Sequence, residues 1–262
     1  MNTIDWGQAA VNNTNGFGKA PTNNTIDFGE VCANSLSPET NLTGTGATPS
    51  FSNTKSILLD GVDDYVSLSS KTQNFTDFTV SVWFKTTSKG GANAIIGNSA
   101  AEGGYLFFIG QSGGVIKFYD SAYRTISGNI VDNAWHHLAV TYDSNANELK
   151  SYIDNSLFTT YTPSTSGLAT NSHSFNQIGR RITIGQFIGG LDELAVFSSV
   201  LSSTEVSNIY GSGVPTSLAS LNPVHWWRCG DGDTAPTLTD NGSGGIDGTI
   251  TNFTTFSTDV PT

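Results

Sequence analysis

The chain has few basic residues and few cysteines, and both scarcities limit what it can do. Of its 262 residues, 11 are Lys or Arg and 22 are Asp or Glu, which gives a formal net charge of −11. A surface of this sign repels phosphate backbones, so we predict no nucleic-acid partner. The two cysteines, Cys32 and Cys229, allow one disulfide, but two thiols in a chain without an export signal are more often reduced.

Long apolar runs are also missing from the sequence. No stretch of 18 apolar residues occurs, so we predict that no segment crosses a membrane. Residues 1–7 contain neither the basic region nor the apolar region of a secretory signal. The sequence therefore predicts no membrane partner and no export by a signal peptide.

Turn-forming and aromatic residues are plentiful, and their pattern predicts an all-β fold. Aromatic residues make up 11% of the chain and hydrophobic residues 37%, enough to fill the core of a sandwich. Segments 78–85 and 136–143 alternate apolar and polar residues with the period of two that is typical of half-buried strands. Shorter runs predict further strands at 57–59, 64–68, 94–97, 105–110, 114–118, 148–153, 182–186 and 190–198.

One helix is predicted after the last of these strands. Ser202 and Glu205 have the spacing of a capping box, and Gly211 stands where a glycine commonly ends a helix. Beyond the helix, residues 225–256 carry a Trp-Trp pair and several apolar residues that need burial. We expect this C-terminal segment to supply an edge strand to the same core.

Five motifs follow one another between residues 51 and 211. They are 59–66 (LDGVDDYV), 78–85 (FTVSVWFK), 135–143 (WHHLAVTYD), 149–155 (LKSYIDN) and 190–197 (GLDELAVF). In this order and spacing they resemble the laminin-G-like branch of the concanavalin A-like jelly rolls. The resemblance implies an antiparallel β-sandwich at 56–211 that ends in the short helix, and a binding or assembly module rather than a catalyst.

Three segments are expected outside this jelly roll. They are an extended N-terminal arm at 1–34, a linker at 35–55, and a C-terminal segment at 212–262 that completes or extends the sandwich. The linker is assigned from its Ser, Thr, Gly, Pro and Asn composition.

An 11-residue repeat fills the N-terminal arm. Aromatic-glycine pairs recur within it at Trp6-Gly7, Phe17-Gly18 and Phe28-Gly29. Each copy offers one aromatic side chain and little other apolar surface, so it would order only against the sandwich, a sister subunit or another protein. A low-complexity arm without fixed structure is the alternative. These openings resemble the N-termini of structural proteins from tailed bacteriophages.

The sequence offers little for catalysis. Hydrolases of this superfamily place Glu-x-Asp-x-x-Glu on one strand, where alternation puts all three acids on one face. No such triplet occurs, and the acidic pair Asp192-Glu193 is expected to send its side chains to opposite faces. We expect His136 to be buried and hydrogen-bonded and His137 to face outward. We therefore predict that the chain is not an enzyme, with a glycoside hydrolase of the same superfamily as an alternative.

Calcium is the ion that the acidic residues favour, because it takes six to eight oxygen ligands from carboxylates and turn carbonyls. The predicted ligands are a cluster in one turn and an acid that family members often hold nearby: Asp60, Asp63, Asp64 and Asp192. Asp60 and Asp63 could instead cap the turn by accepting backbone N–H bonds. A second acidic, Gly-rich set follows the helix: Asp231, Asp233, Asp240 and Asp247.

Glycan recognition usually pairs an aromatic ring with amides or carboxylates at loop tips. Residues of these types on loops between the predicted strands are Tyr105, Tyr119, Tyr123, Asn98 and Gln111. Cross-strand packing is the alternative role for each of them, and the sequence does not locate a glycan site.

Together these features predict a non-enzymatic structural protein of a bacteriophage particle, in a capsid decoration, a tail or a fibre. Its partners would be other capsid or tail subunits, further copies of itself and a host-surface glycan. Assembly in the host cytoplasm and release by lysis would take such a domain out of the cell without a signal peptide. A secreted bacterial carbohydrate-binding or adhesion module, from which the signal has been removed, is the alternative.

Overall fold

The computed structural model of the chain describes residues 51–88, 93–98, 108–119, 123–163, 174–181 and 185–262. Its strands, in chain order, are β1 (Ile57–Asp60), β2 (Tyr65–Leu68), β3 (Phe78–Lys85), β4 (Asn93–Gly97), β5 (Phe108–Ser112), β6 (Val115–Tyr119), β7 (Tyr123–Thr125), β8 (His136–Asp143), β9 (Glu148–Ile153), β10 (Ser156–Tyr161), β11 (Gln177–Ile178), β12 (Ile188–Phe197), β13 (His225–Trp227), β14 (Thr237–Leu238) and β15 (Gly248–Thr251). One α-helix, α1 (Ser203–Tyr210), and one 3₁₀ turn, Ala219–Leu221, follow β12.

Two antiparallel sheets form the sandwich. The first sheet has the strand order β1-β12-β3-β8-β9-β10, and β13 pairs with the second half of β12. The second sheet has the order β14-β15-β2-β11-β4-β5-β6-β7. The predicted all-β antiparallel jelly roll is therefore confirmed, and strands β3, β8 and β9 have the bounds that the sequence predicted.

The main core lies between the sheets and takes alternate side chains from each strand. Val80, Val82 and Phe84 of β3 face it, as do Leu138 and Val140 of β8. Apolar area buried in this way is worth roughly 25 cal/mol per Å², so this layer is the main source of stability.

The outer face of the first sheet is also covered, which alternation alone did not predict. Helix α1 packs there, and Val206 and Ile209 join Ala139, Phe197 and Trp226 in a second apolar cluster. Strands β3 and β8 are consequently buried on both faces rather than on one.

His137 lies beneath this cover, and the prediction that it would face solvent was wrong. The alternation correctly placed His137 on the outer face of the sheet, but Trp83 and Tyr210 pack against its ring and leave it fully buried. Burial lowers the pKa of His137 to about 4, so the ring is neutral. Its Nε2 lies 2.8 Å from Ser81 Oγ. His136 is half-buried and contacts Asp154 and Asp132 through its two ring nitrogens.

The predicted helix is confirmed together with its caps. The Ser202 side chain accepts from the Glu205 N–H, and the Glu205 carboxylate accepts from the Ser202 N–H. Gly211 ends the helix in the left-handed region, at φ 57°. The described part of the chain contains no helix of the length and apolar character needed to cross a membrane.

The C-terminal segment contributes to both sheets. Strand β13 pairs with β12, with Leu194 opposite Trp227, while β15 pairs with β2. Trp227 is fully buried in the main core, and its indole N–H donates to the Ile246 carbonyl. These residues therefore build the sandwich rather than only flanking it.

Some predictions on individual segments were incomplete. The strand expected at 105–110 is seen as β5, which ends two residues later than predicted, and residues 105–107 lie outside the described residues. No strand is seen at 185–186, the described part of the segment expected at 182–186. Strands β7, β10 and β11 had not been predicted, and the C-terminal segment, expected to supply one edge strand, supplies three, β13, β14 and β15.

The N-terminal arm, most of the linker and Cys32 lie outside the described residues, and so do the repeat residues Trp6, Gly7, Phe17, Gly18, Phe28 and Gly29. Cys229 is described, and it is a free, buried thiol.

Candidate functional site

A cleft of about 510 Å³ opens at the edge of the first sheet. It lies where β1, β12 and the end of β3 meet the loop before β8 and the last residues of the chain. Its polar lining consists mainly of Asp60, Asp64, Lys85, Asn133 and Asp259, and its apolar lining includes Leu58 and Ile188. A concave site with a few convergent polar groups is the usual form of a small-molecule site.

Two adjacent glycines of β12 form part of the cleft wall. A Cβ on Gly189 would lie 1.9 Å from the Lys85 carbonyl oxygen, and φ at this residue is 134°. A Cβ on Gly190 would lie 2.6 Å from Cη2 of Trp135. Because both positions lack a side chain, β12 can approach β3 closely and the Trp135 ring can lie over the backbone.

Asp259 joins three elements at the cleft. Its carboxylate accepts from Lys85 Nζ at 2.7 Å and from Trp135 Nε1 at 3.0 Å. Ser56 Oγ donates to its backbone carbonyl, and Ser56 and Ser257 exchange two backbone hydrogen bonds. The hydrogen bond from Lys85 lowers the pKa of Asp259, so this carboxylate is ionised at neutral pH.

The acidic turn predicted from the sequence lies next to the cleft. One carboxylate oxygen from each of Asp60, Asp63 and Asp64 falls within 4.8 Å of the others. Asp60 Oδ1 also accepts from the N–H groups of Val62 and Asp63, so it caps the turn as well. The hydrogen bond from Val62 lowers the pKa of Asp60, whereas burial and the neighbouring Asp60 and Asp63 charges raise the pKa of Asp64.

The donor set of this turn fits a calcium ion. The described hydrogen bonds use Oδ1 of Asp60 and Oδ2 of Asp64, which accepts from the Asp60 N–H. The other oxygens of these two acids and the carboxylate of Asp63 are the type of ligand that Ca²⁺ takes, and water would complete its six to eight ligands.

Asp192 is not part of this group. It lies further along β12 and accepts from Asn53 Nδ2 at 2.9 Å. A β-bulge between Asp192 and Ala195 interrupts the pairing with β3, and Glu193 within it has φ 45°. The bulge breaks the alternation that would have sent the two acids to opposite faces, and both carboxylates are buried.

The two buried acids are electrostatically coupled. Burial and the charge of Glu193 raise the pKa of Asp192 to about 9. Burial raises the pKa of Glu193 to about 7, although Arg228 and the indole N–H of Trp226 act in the opposite direction. One carboxyl of the pair therefore holds a proton at neutral pH.

The second acidic set holds backbone turns. Asp231 accepts from the N–H and hydroxyl of Thr54, and Asp233 accepts from two N–H groups. Asp240 binds three N–H groups and His225, and Asp247 accepts from the Asp240 N–H. Among the described residues, the turn at 60–64 is the one group of three or more acids close enough to share an ion.

The aromatic candidates for glycan binding lie elsewhere. Tyr119 and Tyr123 pack edge to face at 5.0 Å on β6 and β7, the end of the second sheet. Asn98 is buried, so its predicted place at an accessible loop tip was wrong. Tyr105 and the side chain of Gln111 lie outside the described residues.

Sequence reasoning missed most of the cleft. Lys85, Trp135 and Gly190 stand at the ends of three of the five motifs, which was the available signal. Asn133 and Asp259 carry no local signal, because only the tertiary fold brings them to the motifs.

Comparisons with known proteins agree on the fold. The model of a laminin-G-like family, described as the concanavalin A-like lectin/glucanases superfamily, matches residues 60–207. A candidate carbohydrate-binding protein from Bacteroides ovatus is similar in structure, at 18% identity and a TM-score of 0.61, over 80% of this chain. The chain spans 62% of that protein's length.

Two further solved structures are similar at TM-scores of 0.48 and 15% identity. The SAP-like pentraxin from Limulus polyphemus is matched over 60% of this chain and 82% of its own. The CBM40 of the Ruminococcus gnavus IT-sialidase is matched over 59% of this chain and 96% of its own. No curated protein sequence matches the chain.

The buried acids predict an unusual pH dependence of stability. The folded pKa values of Asp192 and Glu193 lie above their ordinary values of 3.8 and 4.5. At any pH between the ordinary and the folded pKa of each acid, the folded state therefore binds more protons than the unfolded state. The free energy of unfolding should therefore fall as the pH rises from about 4 to about 9 through these groups. Asp192→Asn should raise it at pH 8 by on the order of 1–3 kcal/mol and have little effect near pH 4, measured by urea denaturation.

Asp240→Asn is the matched control. Although burial opposes it, hydrogen bonds from His225 and from the Trp226 and Ile246 N–H groups lower the pKa of Asp240. The Asp240 carboxylate contributes to stability at pH values above its unfolded pKa. The variant should therefore be less stable than the wild type at pH 8. Equal destabilisation by both variants at pH 8 would contradict the raised pKa of Asp192.

Proposed function

The chain belongs to the concanavalin A-like lectin/glucanases superfamily, and from this premise we propose that it is a non-enzymatic carbohydrate-binding protein whose binding site is the cleft. The observation that carries the proposal is the convergence of carboxylates and an amide at one concave surface, with an indole at its border. Asp60 and Asp64 offer acceptors to sugar hydroxyls, and Asn133 offers both a donor and acceptors. Trp135, fixed by Asp259, stands at the border as an aromatic surface for a sugar ring.

Two observations favour binding over hydrolysis. A glycosidase needs two accessible carboxyl groups that flank the scissile bond. The acid pair with strongly raised pKa values, Asp192 and Glu193, is buried and hydrogen-bonded to Asn53, Trp226 and Arg228. The sequence also lacks the acidic triplet of the hydrolases of this superfamily.

We place this module in a bacteriophage particle, as a capsid decoration or a tail or fibre component. The support is the 11-residue repeat of residues 4–31, whose aromatic-glycine pairs suit attachment to neighbouring subunits or to other copies of the chain. In this setting the cleft would hold a glycan of the host surface. A secreted bacterial adhesion module is the competing setting.

Substitutions at the cleft should weaken sugar binding without unfolding the protein. We expect Trp135→Ala and Asn133→Ala each to weaken binding about tenfold, because each removes a contact worth roughly 1.4 kcal/mol. A glycan array with the full chain identifies the ligand, and titration calorimetry measures the loss. Tyr123→Ala, at the other candidate surface, is the matched control. A loss caused by Tyr123→Ala and by neither cleft variant would move the site to β6 and β7.

Calcium should stabilise the protein through the acidic turn. We expect CaCl₂ to raise the Tm of the wild type, since a ligand that binds only the folded state adds to its stability. Asp63→Asn should remove this increase, while the N–H bonds accepted by Asp60 remain in place. Scanning calorimetry with CaCl₂ and with EDTA measures the effect. An unchanged wild-type Tm, or an equal increase in the variant, would rule out this turn as the calcium site.

The particle setting is tested by removing the repeats. A chain that lacks residues 1–34 should no longer be incorporated into particles but should retain sugar binding, because all the cleft residues lie beyond residue 51. Mass spectrometry of purified particles from complementation with each chain measures incorporation. Equal incorporation of both chains would refute the anchoring role, and absence of the wild-type chain from particles would refute the particle setting.

A further inference from the structure

Asp259 forms an ion pair with Lys85, the basic residue of the cleft. Lys85 Nζ lies 2.7 Å from Asp259 Oδ2, and both side chains are partly exposed, at 21% and 53%. The other charged residues that line the cleft are Asp60 and Asp64. Lys85 is thus the sole cation among the described lining residues, and its charge is already matched.

The position of Asp259 is fixed rather than incidental. Its second carboxylate oxygen accepts from Trp135 Nε1 at 3.0 Å, and its N–H donates to Ser257 Oγ. Ser56 Oγ donates to the Asp259 carbonyl, and Ser56 pairs with Ser257 in an antiparallel β-bridge. Three contacts, from Trp135, Ser257 and Ser56, therefore place the Asp259 carboxylate beside the Lys85 ammonium.

This carboxylate comes from outside the part of the chain that matches the family. The match covers residues 60–207, which include Lys85 and Trp135 but not Asp259. The C-terminal segment therefore adds a charge to a surface that the matched domain would otherwise leave with an unpaired lysine.

We propose that Asp259 makes the cleft selective for uncharged sugars, because it occupies the Lys85 ammonium that the carboxylate or sulfate of an acidic sugar would bind. This inference rests on the proposed function and names its ligand class. An acidic sugar would have to displace Asp259 from Lys85 and would also face the carboxylates of Asp60 and Asp64. An uncharged sugar meets no such repulsion, and its hydroxyls can donate to the same carboxylates.

The variant Asp259→Asn tests the proposal, since it removes the charge and keeps the shape. The full chain is run in affinity gels that contain neutral polysaccharides (galactomannan, xyloglucan, dextran) or acidic ones (polygalacturonate, alginate, hyaluronan). The gels contain EDTA, so that no cation at the acidic turn attracts the acidic polymers, and a second set contains CaCl₂. We expect the wild type to be retarded by a neutral polysaccharide and by none of the acidic ones.

Asp259→Asn should gain affinity for acidic polysaccharides by about fivefold, the value of one partly exposed ion pair. The gain should disappear in the double variant Asp259→Asn/Lys85→Met and at high salt. Glu148→Gln is the matched control: it makes the same change in net charge and releases Lys150 from its ion pair, at the opposite end of β8 from the cleft. This control should gain nothing.

The outcomes separate the inference from the function on which it rests. If the wild type binds a neutral polysaccharide and Asp259→Asn gains no acidic one, the role of Asp259 is refuted and the proposed function stands. Wild-type retardation by an acidic polysaccharide would also refute the inference alone. If no variant binds any polysaccharide, and the glycan array is likewise negative, both fail.

Discussion

The ten residues of β12 carry most of what is specific to this molecule. The strand pairs with β3 along its length, with β1 over its first half and with β13 over its second half. The bulge between Asp192 and Ala195 divides these halves. Before the bulge, Gly189 and Gly190 bring the backbone against Lys85 and Trp135 and so shape the cleft. Within the bulge, the side chains of Asp192 and Glu193 are both buried. After the bulge, β12 pairs with β13 of the C-terminal segment.

The fold could largely be predicted because its signals are local. The period of two fixed β3 and β8, and the spacing of Ser202, Glu205 and Gly211 fixed the helix. What the pattern could not show was the cover on the outer face. Ala139 and His137 alternate with core residues whether that face meets water or a helix. Whether His137 is exposed therefore depends on how α1 packs, and this depends on residues far along the chain.

The site was harder to predict, for physical reasons that differ between residues. The turn at 60–64 was found because its three acids are adjacent in sequence. Asp192 was grouped with them, but a bulge is a local departure from regular pairing that no alternation rule contains. Asp259 and Lys85 are 174 residues apart, and their contact follows from the Ser56–Ser257 bridge. An ion pair between residues so far apart in sequence forms only in the folded sandwich, so no local pattern predicts it.

The bridge between Ser56 and Ser257 also has a mechanical meaning. Ser56 and Ser257 lie side by side on antiparallel segments, so tension applied between these two residues acts directly on the two backbone hydrogen bonds of the bridge, as in unzipping. Asp259 lies two residues beyond the bridge, and its carboxylate is attached to Lys85 and Trp135. A pull on the segment beyond Ser257 therefore reaches the cleft before it reaches the core.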